Sequence, residues 1–279
     1  MKITVLVENT ATDVFLCEHG LSLLIEKDNK KYLLDAGQSR MFMDNATVLN
    51  ADIERVEYAV LSHGHYDHSG GFFEYLNKYP DIKVHAMETA FGDYYSSKGG
   101  MHEIGIPANI KEGHREAFCL HTEFAELSEG VFLVPHNTTG LSKIGEKAGL
   151  FAMKEDKIVP DDFCHEASLV IDSGDGLVIF NSCSHGGVSN IINEVKMALP
   201  NQRIKAFVGG LHMIGMKDGM EICTFSDEEI TELVNVLKSE GVEKIYTGHC
   251  TGKVGFDKIK KCFGETKTVA LYSGAEIII

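Results

Sequence analysis

The sequence predicts a mixed α/β (α+β) chain in which two β-sheets carry helices on their outer sides. Three observations lead there. Each half of the chain opens with apolar strands and then turns to strand–helix units. No Pro/Ser/Gly-rich linker interrupts the 279 residues, which hold only 5 prolines, so residues 1–279 read as one domain. Several apolar runs also end in a histidine beside glycine, as expected of rigid strand ends that present side chains to a site.

The elements follow in order. "KITVLVE" (2–8) reads as a buried opening strand, and "LSLLIEKDNKKYLLDAG" (21–37) as a hairpin turning at "KDNK". "YAVLSHGH" (58–65) is a strand, "GGFFEYLNKYP" (70–80) a short helix stopped by Pro80, and "IKVHAM" (82–87) a strand. Residues 92–130 are rich in Gly, His and charge and lack periodicity; they read as a flap of loops and short helices. Strands are predicted at 131–135, 149–154, 168–172 and 176–180. Helices at 189–199, 226–241 and 255–264 then alternate with strands at 204–210 and 244–249. The second of these helices carries a capping box: Ser226 as N-cap, Glu229 three residues on, and Gly241 past the end.

Composition narrows the function classes. The chain is 44% hydrophobic and 24% charged, which is ordinary globular usage. Its formal net charge of -15 argues against duplex DNA or long RNA as the main partner, because counterion release needs a basic footprint. The seven cysteines are odd in number and form no C-x-x-C pair, which points to reduced thiols in the cytoplasm. The opening "MKITVLVENT" has no signal-peptide pattern, and no apolar stretch approaches the roughly 20 residues that span a bilayer, so no membrane partner is expected. The oligomeric state is left open, a homo-oligomer included.

"LSHGHYDHSGG" (61–71) puts His63, His65, Asp67 and His68 into six positions. Imidazole and carboxylate are the common ligands of zinc and related ions, and packing gives no reason to gather them. Three further strand ends carry histidine: "IFNSCSHGG" ends in His185, "AFVGGLHM" in His212 and "IYTGHCTG" in His249. Asp35 in "LLDAG" ends a strand in the same way. Cys183-Ser184-His185 also permits a thiol nucleophile beside a base, since i, i+2 side chains share a face; a histidine bound to metal cannot serve as that base. Met213, Met216 and Met220 read as ordinary filling rather than as a lining for a flat ring.

"HGHYDH" resembles the H-x-H-x-D-H signature of the metallo-β-lactamase superfamily, and the order and spacing of elements fit along nearly the whole chain. The resemblance implies a four-layer αββα sandwich of two mixed sheets flanked by helices, with a metal pair at one edge. It implies that His63 and His65 bind one metal, that Asp67, His68 and His249 bind a second, and that Asp35 is the structural aspartate near the site. The departure lies mid-chain, where "GLVIF" is followed by "NSCSHGG" with no bridging aspartate. His185 is the substitute ligand for the first metal, with Asp161, Asp162 and His165 in "PDDFCHEASLVI" as upstream candidates. His212 is placed as a proton donor or phosphate contact, and His19 as a group near the site. One or two divalent ions are implied, zinc first, with manganese or iron(II) as alternatives.

"EHGLSLLIE", "LSHGHYDHSGG", "CSHGG", "VGGLHM" and "GHCTG" are together similar to the dihydropterin–ribofuranosylaminobenzene phosphate synthase-like branch of that superfamily, which is linked to methanopterin biosynthesis. Zinc-type ions lower the pKa of bound water from near 16 to about 7, so hydroxide is available at neutral pH, and Asp67 could accept its proton. The first functional expectation is therefore a hydrolase acting on a small phosphoester or ester-like substrate, with His19, His102, His165 and Arg115 as substrate contacts. The second is the synthase reaction, joining a dihydropterin pyrophosphate to ribofuranosylaminobenzene 5'-phosphate. A diiron oxidoreductase is disfavoured, because that class places Glu where this chain has His65. A non-catalytic metal or ligand sensor is the remaining reading.

Overall fold

The first hairpin shows how the sequence sets the register. Ser22–Lys27 and Lys30–Leu34 pair antiparallel with Lys27 opposite Lys30. Between them Asp28 and Asn29 take φ of 51° and 64°, the left-handed pair that a two-residue hairpin turn requires and that Asp and Asn tolerate.

A computed structural model describes residues 1–12 and 14–279. The chain forms two units: Met1–Ala125, Pro135–Ala167 and Tyr272–Ile279 in the first, Glu126–Val134 and Ser168–Leu271 in the second.

In the first unit a seven-stranded sheet runs through Glu276–Ile278, Lys2–Val7, Ser22–Lys27, Lys30–Leu34, Tyr58–Val60, Val84–Met87 and Phe118–His121. The pairings from Glu276–Ile278 to Lys30–Leu34 are antiparallel and the remaining three parallel. Leu6, Leu24, Leu33, Ala59 and Ala86 meet Phe42 and Ala46 of the helix Met41–Val48 and Phe72, Tyr75 and Leu76 of the helix Phe72–Lys78. This side of the sheet thus buries its apolar face under helices, as a mixed sheet with parallel crossovers requires.

In the second unit a seven-stranded sheet runs through Thr268–Ala270, Lys244–Thr247, Ile204–Val208, Leu177–Phe180, Ala167–Asp172, Val131–Pro135 and Ala125–Ser128. The first four strands are mutually parallel, so they end at the same edge. Val170, Ile179, Phe207 and Ile245 pack against three helices, Val188–Ala198, Asp227–Ser239 and Gly252–Phe263. Asp227–Ser239 buries Ile230, Leu233, Val234 and Leu237, the i, i+3, i+4, i+7 stripe of an amphipathic helix. Its Ser226–Glu229 capping box is formed. The cap contributes about 1 kcal/mol, against about 1.5–3 kcal/mol for each large buried side chain, so packing holds this helix.

Three local expectations change. The strand expected over 58–65 ends at Val60, and Tyr66–Ser69 already form one helical turn, so Asp67 and His68 lie on a helix. The intervening loop is held by side-chain bonds to Asp35 and His165 together with backbone bonds of Leu61 N–H to His85 O and of Ala167 N–H to Ser62 O. Residues 92–130 contain more than loops. Tyr94–Ser96 and His102–Glu103 join Leu150–Lys154 and Lys157–Pro160 in a four-stranded sheet, and Phe118–His121 closes an edge of the first large sheet. Strands of two to four residues are too short for periodicity to register, yet Tyr94 and Ile104 are buried with Leu150 and Phe163. Third, the methionines divide: Met213 is fully buried, whereas Met216 and Met220 are exposed on the antiparallel hairpin Ile214–Lys217/Met220–Cys223. Among the described residues no helix is long and apolar enough to cross a membrane.

Candidate metal centre

In the first unit the parallel strands Lys30–Leu34 and Tyr58–Val60 end side by side, and their continuations carry Asp35 and the 61–71 motif. Asp35 sits at φ 58° with no exposed surface. One carboxylate oxygen accepts the Ser62 N–H at 2.7 Å. The other accepts the Ser62 hydroxyl at 2.7 Å and His68 Nδ1–H at 2.8 Å. The Ser62 proton being spent on Asp35, its oxygen can only accept from His63 Nδ1, 2.8 Å away. One buried carboxylate therefore orients two imidazoles, His68 directly and His63 through Ser62. In His63 this fixes Nε2 as the lone-pair nitrogen, and in His68 it leaves Nε2 as the position where a cation would replace a proton, an arrangement of the kind that supports metal-bound histidines.

The rings lie close. His63 is 4.2 Å from His68 and 4.6 Å from His65 between centroids. Burial, then the neighbouring imidazoles of His68, His65 and His165, holds His63 well below its ordinary range. Burial and His165 likewise bring His65 down to about 3. Both are therefore neutral, the state a metal accepts. His68 differs: burial opposes its charge, but Asp67 and Asp35 outweigh burial and raise it to about 10. Asp67 Oδ2 lies 3.5 Å from His68 Nε2 and 3.2 Å from His19 Nε2. The proton held on His68 between two carboxylates marks a place built for positive charge. The donor set of neutral imidazoles beside carboxylates thus fits a divalent cation.

His165 is fully buried and uses both ring nitrogens. Nδ1 accepts the Gly64 N–H at 3.0 Å, and Nε2–H donates to Asp161 at 2.9 Å. It therefore grips the backbone between His63 and His65, with no nitrogen left for a substrate. Gly64 is required there, since a Cβ would stand 2.2 Å from the Ala90 carbonyl oxygen. Burial works against the Asp161 charge, but His165 and the Phe163 N–H outweigh it and keep the carboxyl below its usual range. Asp162 is half-buried and pairs with Lys154. The 92–130 segment reaches the motif where Tyr66 N–H donates to Ile104 O at 3.0 Å, His65 bridges to Gly105, and the Tyr94 ring stands edge-on to His65 at 6.0 Å. His102 is exposed, with Nδ1 on the Gly100 carbonyl at 2.8 Å. Arg115 lies over the Phe91 ring at 3.9 Å.

In the second unit the loops after Leu177–Phe180, Ile204–Val208 and Lys244–Thr247 bring His185, His212 and His249 to one sheet edge. The His185 and His212 rings are 4.3 Å apart. Ser184, His212 and His249 take positive φ of 56°, 48° and 49°. Most other left-handed non-glycine residues of the chain are Asp or Asn, where local hydrogen bonding softens the cost. For Ser and His the conformation costs about 1–3 kcal/mol and persists only where the surroundings enforce it. Here they do: Asn181 Oδ1 accepts Ser184 N–H at 2.6 Å, Ser184 Oγ donates to Gly210 O at 2.6 Å, and Thr251 Oγ1 accepts Leu211 N–H at 2.9 Å.

Sequence reading missed Ser62 as the relay to His63. It also missed the buried pair of His136 with Glu166 at 2.6 Å, although "VFLVPH" is one more apolar run ending in histidine.

Comparison with known proteins gives the class. Residues 17–149 match the sequence model of the metallo-beta-lactamase superfamily. A crystal structure of a metal-dependent hydrolase of the beta-lactamase superfamily superposes with a TM-score of 0.80 at 30% identity, covering 100% of this chain and 99% of that one. The chain belongs to the metallo-β-lactamase superfamily and has its fold. An uncharacterized protein of Methanocaldococcus jannaschii is 31% identical over 93% of this chain and 94% of its own. The 7,8-dihydropterin-6-methyl-4-(beta-D-ribofuranosyl)-aminobenzene-5'-phosphate synthase of the same organism is 28% identical over 90% of this chain and 88% of its own.

Proposed function

We propose that the protein is a metal-dependent hydrolase of a small phosphoester or ester-like substrate, with zinc as its ion. The observation that carries this reading is the buried carboxylate of Asp35 holding His68 and, through Ser62, His63 with their Nε2 atoms turned away from it. His63, His65, Asp67, His68, His185 and His249 are the proposed metal ligands. When bound, such an ion polarises an ester or phosphoryl oxygen and makes hydroxide available at neutral pH. Asp67 is the proposed proton acceptor, with His19 at 3.2 Å to receive or share that proton. His212, beside His185, is the proposed donor to a leaving oxygen.

A second reading has its own support: the 28% identity over 274 residues to the dihydropterin synthase. In it the same residues would hold a phosphorylated, pterin-like substrate for condensation with a ribofuranosylaminobenzene phosphate. One experiment separates the two. Protein purified without chelators or a histidine tag is assayed for metal by mass spectrometry. It is then incubated with phosphodiester and lactone panels and, separately, with a dihydropterin pyrophosphate plus ribofuranosylaminobenzene 5'-phosphate. Turnover of a panel ester supports the hydrolase; pyrophosphate release only with both partners supports the synthase. A chain that takes up no metal after reconstitution overturns both.

A further inference from the structure

Two thiols stand in the second unit's cluster, and they are used differently. Cys250 is buried and bonds to backbone: its Sγ donates to Cys183 O at 3.5 Å and accepts His212 N–H at 3.3 Å. The Cys183 thiol, which also meets that of Cys250, lies beside two imidazoles. Its Sγ lies within 4.8 Å of a ring nitrogen of His185 and within 4.8 Å of a ring nitrogen of His249. All three residues are at most 4% exposed. They come from two loops of parallel strands that end at one edge, and the left-handed Ser184 between Cys183 and His185 is pinned by Asn181 and Gly210. One sulfur and two imidazole nitrogens in a buried, backbone-enforced group form a set of soft and borderline donors. This loop is also the one in which the superfamily resemblance leads to an expected carboxylate that the chain lacks.

We propose that Cys183 is a metal ligand, bound as thiolate alongside His185 and His249. It supplies the anionic donor that the missing aspartate would have supplied. Ligation forms a metal–sulfur bond, breaks the S–H bond and releases that proton to solvent. A thiolate in the set selects zinc or iron over magnesium, calcium or manganese. Binding the ion also weakens Cys183 as a nucleophile, because the metal draws on the thiolate charge. This inference rests on the reading of the protein as metal-dependent.

The test is X-ray absorption at the zinc edge of the full chain loaded with zinc. A sulfur shell at about 2.3 Å beside nitrogen and oxygen at about 2.0–2.1 Å is expected for the unmodified protein. The sulfur shell disappears in Cys183→Ser and remains in Cys250→Ser. Cys183→Asp, which restores a carboxylate, retains zinc with a purely nitrogen and oxygen shell, and serves if the serine variant does not fold. Zinc bound with no sulfur shell in the unmodified protein, or a sulfur shell that survives in Cys183→Asp, overturns the thiolate and leaves the metal-dependent reading standing. Failure to bind zinc at all overturns that reading together with this one.

Discussion

Asp35 accepts the Nδ1–H of His68 at 2.8 Å, with both side chains wholly out of solvent. Removing one partner of such a pair strands the other without solvent to compensate it, which costs about 3–5 kcal/mol. Asp35→Ala is expected to lose that much stability in denaturant titrations. Asp35→Asn keeps the volume but cannot accept from Ser62 N–H, Ser62 Oγ and His68 together. Because it disturbs the orientation of His63 and His68, it should also weaken zinc binding by about 10–100-fold in chelator competition. Unchanged zinc affinity in Asp35→Asn would show that the carboxylate is not orienting these rings.

Gly64 gives a backbone prediction. A Cβ at this position meets the Ala90 carbonyl oxygen at 2.2 Å, so either the loop between His63 and His65 or the Ala90 segment must move. Gly64→Ala should cost about 1–3 kcal/mol, the usual range for forced overpacking. Gly113→Ala, whose Cβ meets nothing within 4 Å, is the control and should leave the melting temperature nearly unchanged.

Much of this was legible in the sequence because the information is local. Four ligand-type side chains in six residues declare themselves, and so do apolar runs that end in His185, His212 and His249. The supporting contacts are not local. His165 reaches Gly64 across 101 residues, and nothing in "DFCHEA" foretells that both its nitrogens are spent on Gly64 and Asp161. The left-handed backbone at Ser184, His212 and His249 is likewise invisible in residue types that rarely adopt it. Cys183 was weighed only as a nucleophile, because its distance to His249 depends on how parallel strands line up and not on spacing in the chain.

Away from the motif, His85 Nδ1 and His121 Nε2 are 2.8 Å apart on neighbouring parallel strands, with Tyr58 edge-on to His85 at 4.8 Å. Burial, and after it the proximity of His121, pushes His85 down to about 4; burial also lowers His121. A folded-state pKa below the unfolded value favours the neutral ring. The pair's contribution is therefore present above about pH 6.5 and is lost as the pH falls from there towards 4. The unmodified protein should lose more stability between pH 7.5 and pH 5 than His85→Gln, as read from urea midpoints at the two values. Equal losses would mean the pair does not sense acid.

His165 is held in one tautomer because Asp161 accepts from Nε2–H, which leaves Nδ1 to accept the Gly64 N–H. Asp161 also accepts the Phe163 N–H at 2.8 Å, so its two oxygens have fixed duties. In Asp161→Asn one oxygen becomes an NH2 group. If the remaining oxygen stays with Phe163, a donor faces the His165 Nε2–H. The ring can escape only by moving its proton to Nδ1, where it would confront the Gly64 N–H instead. Either way a buried donor loses its acceptor, at a cost of about 1–3 kcal/mol. The loosened backbone is the one that spaces His63 from His65. Asp161→Asn should therefore lower both thermal stability and zinc affinity, although Asp161 is no proposed ligand. Asp162→Asn, next in the chain, removes a half-exposed pair with Lys154 and should change stability by no more than about 1 kcal/mol and zinc affinity not at all. Should the two variants behave alike in calorimetry and chelator competition, the hydrogen-bond relay from Asp161 through His165 to Gly64 does not position the metal site.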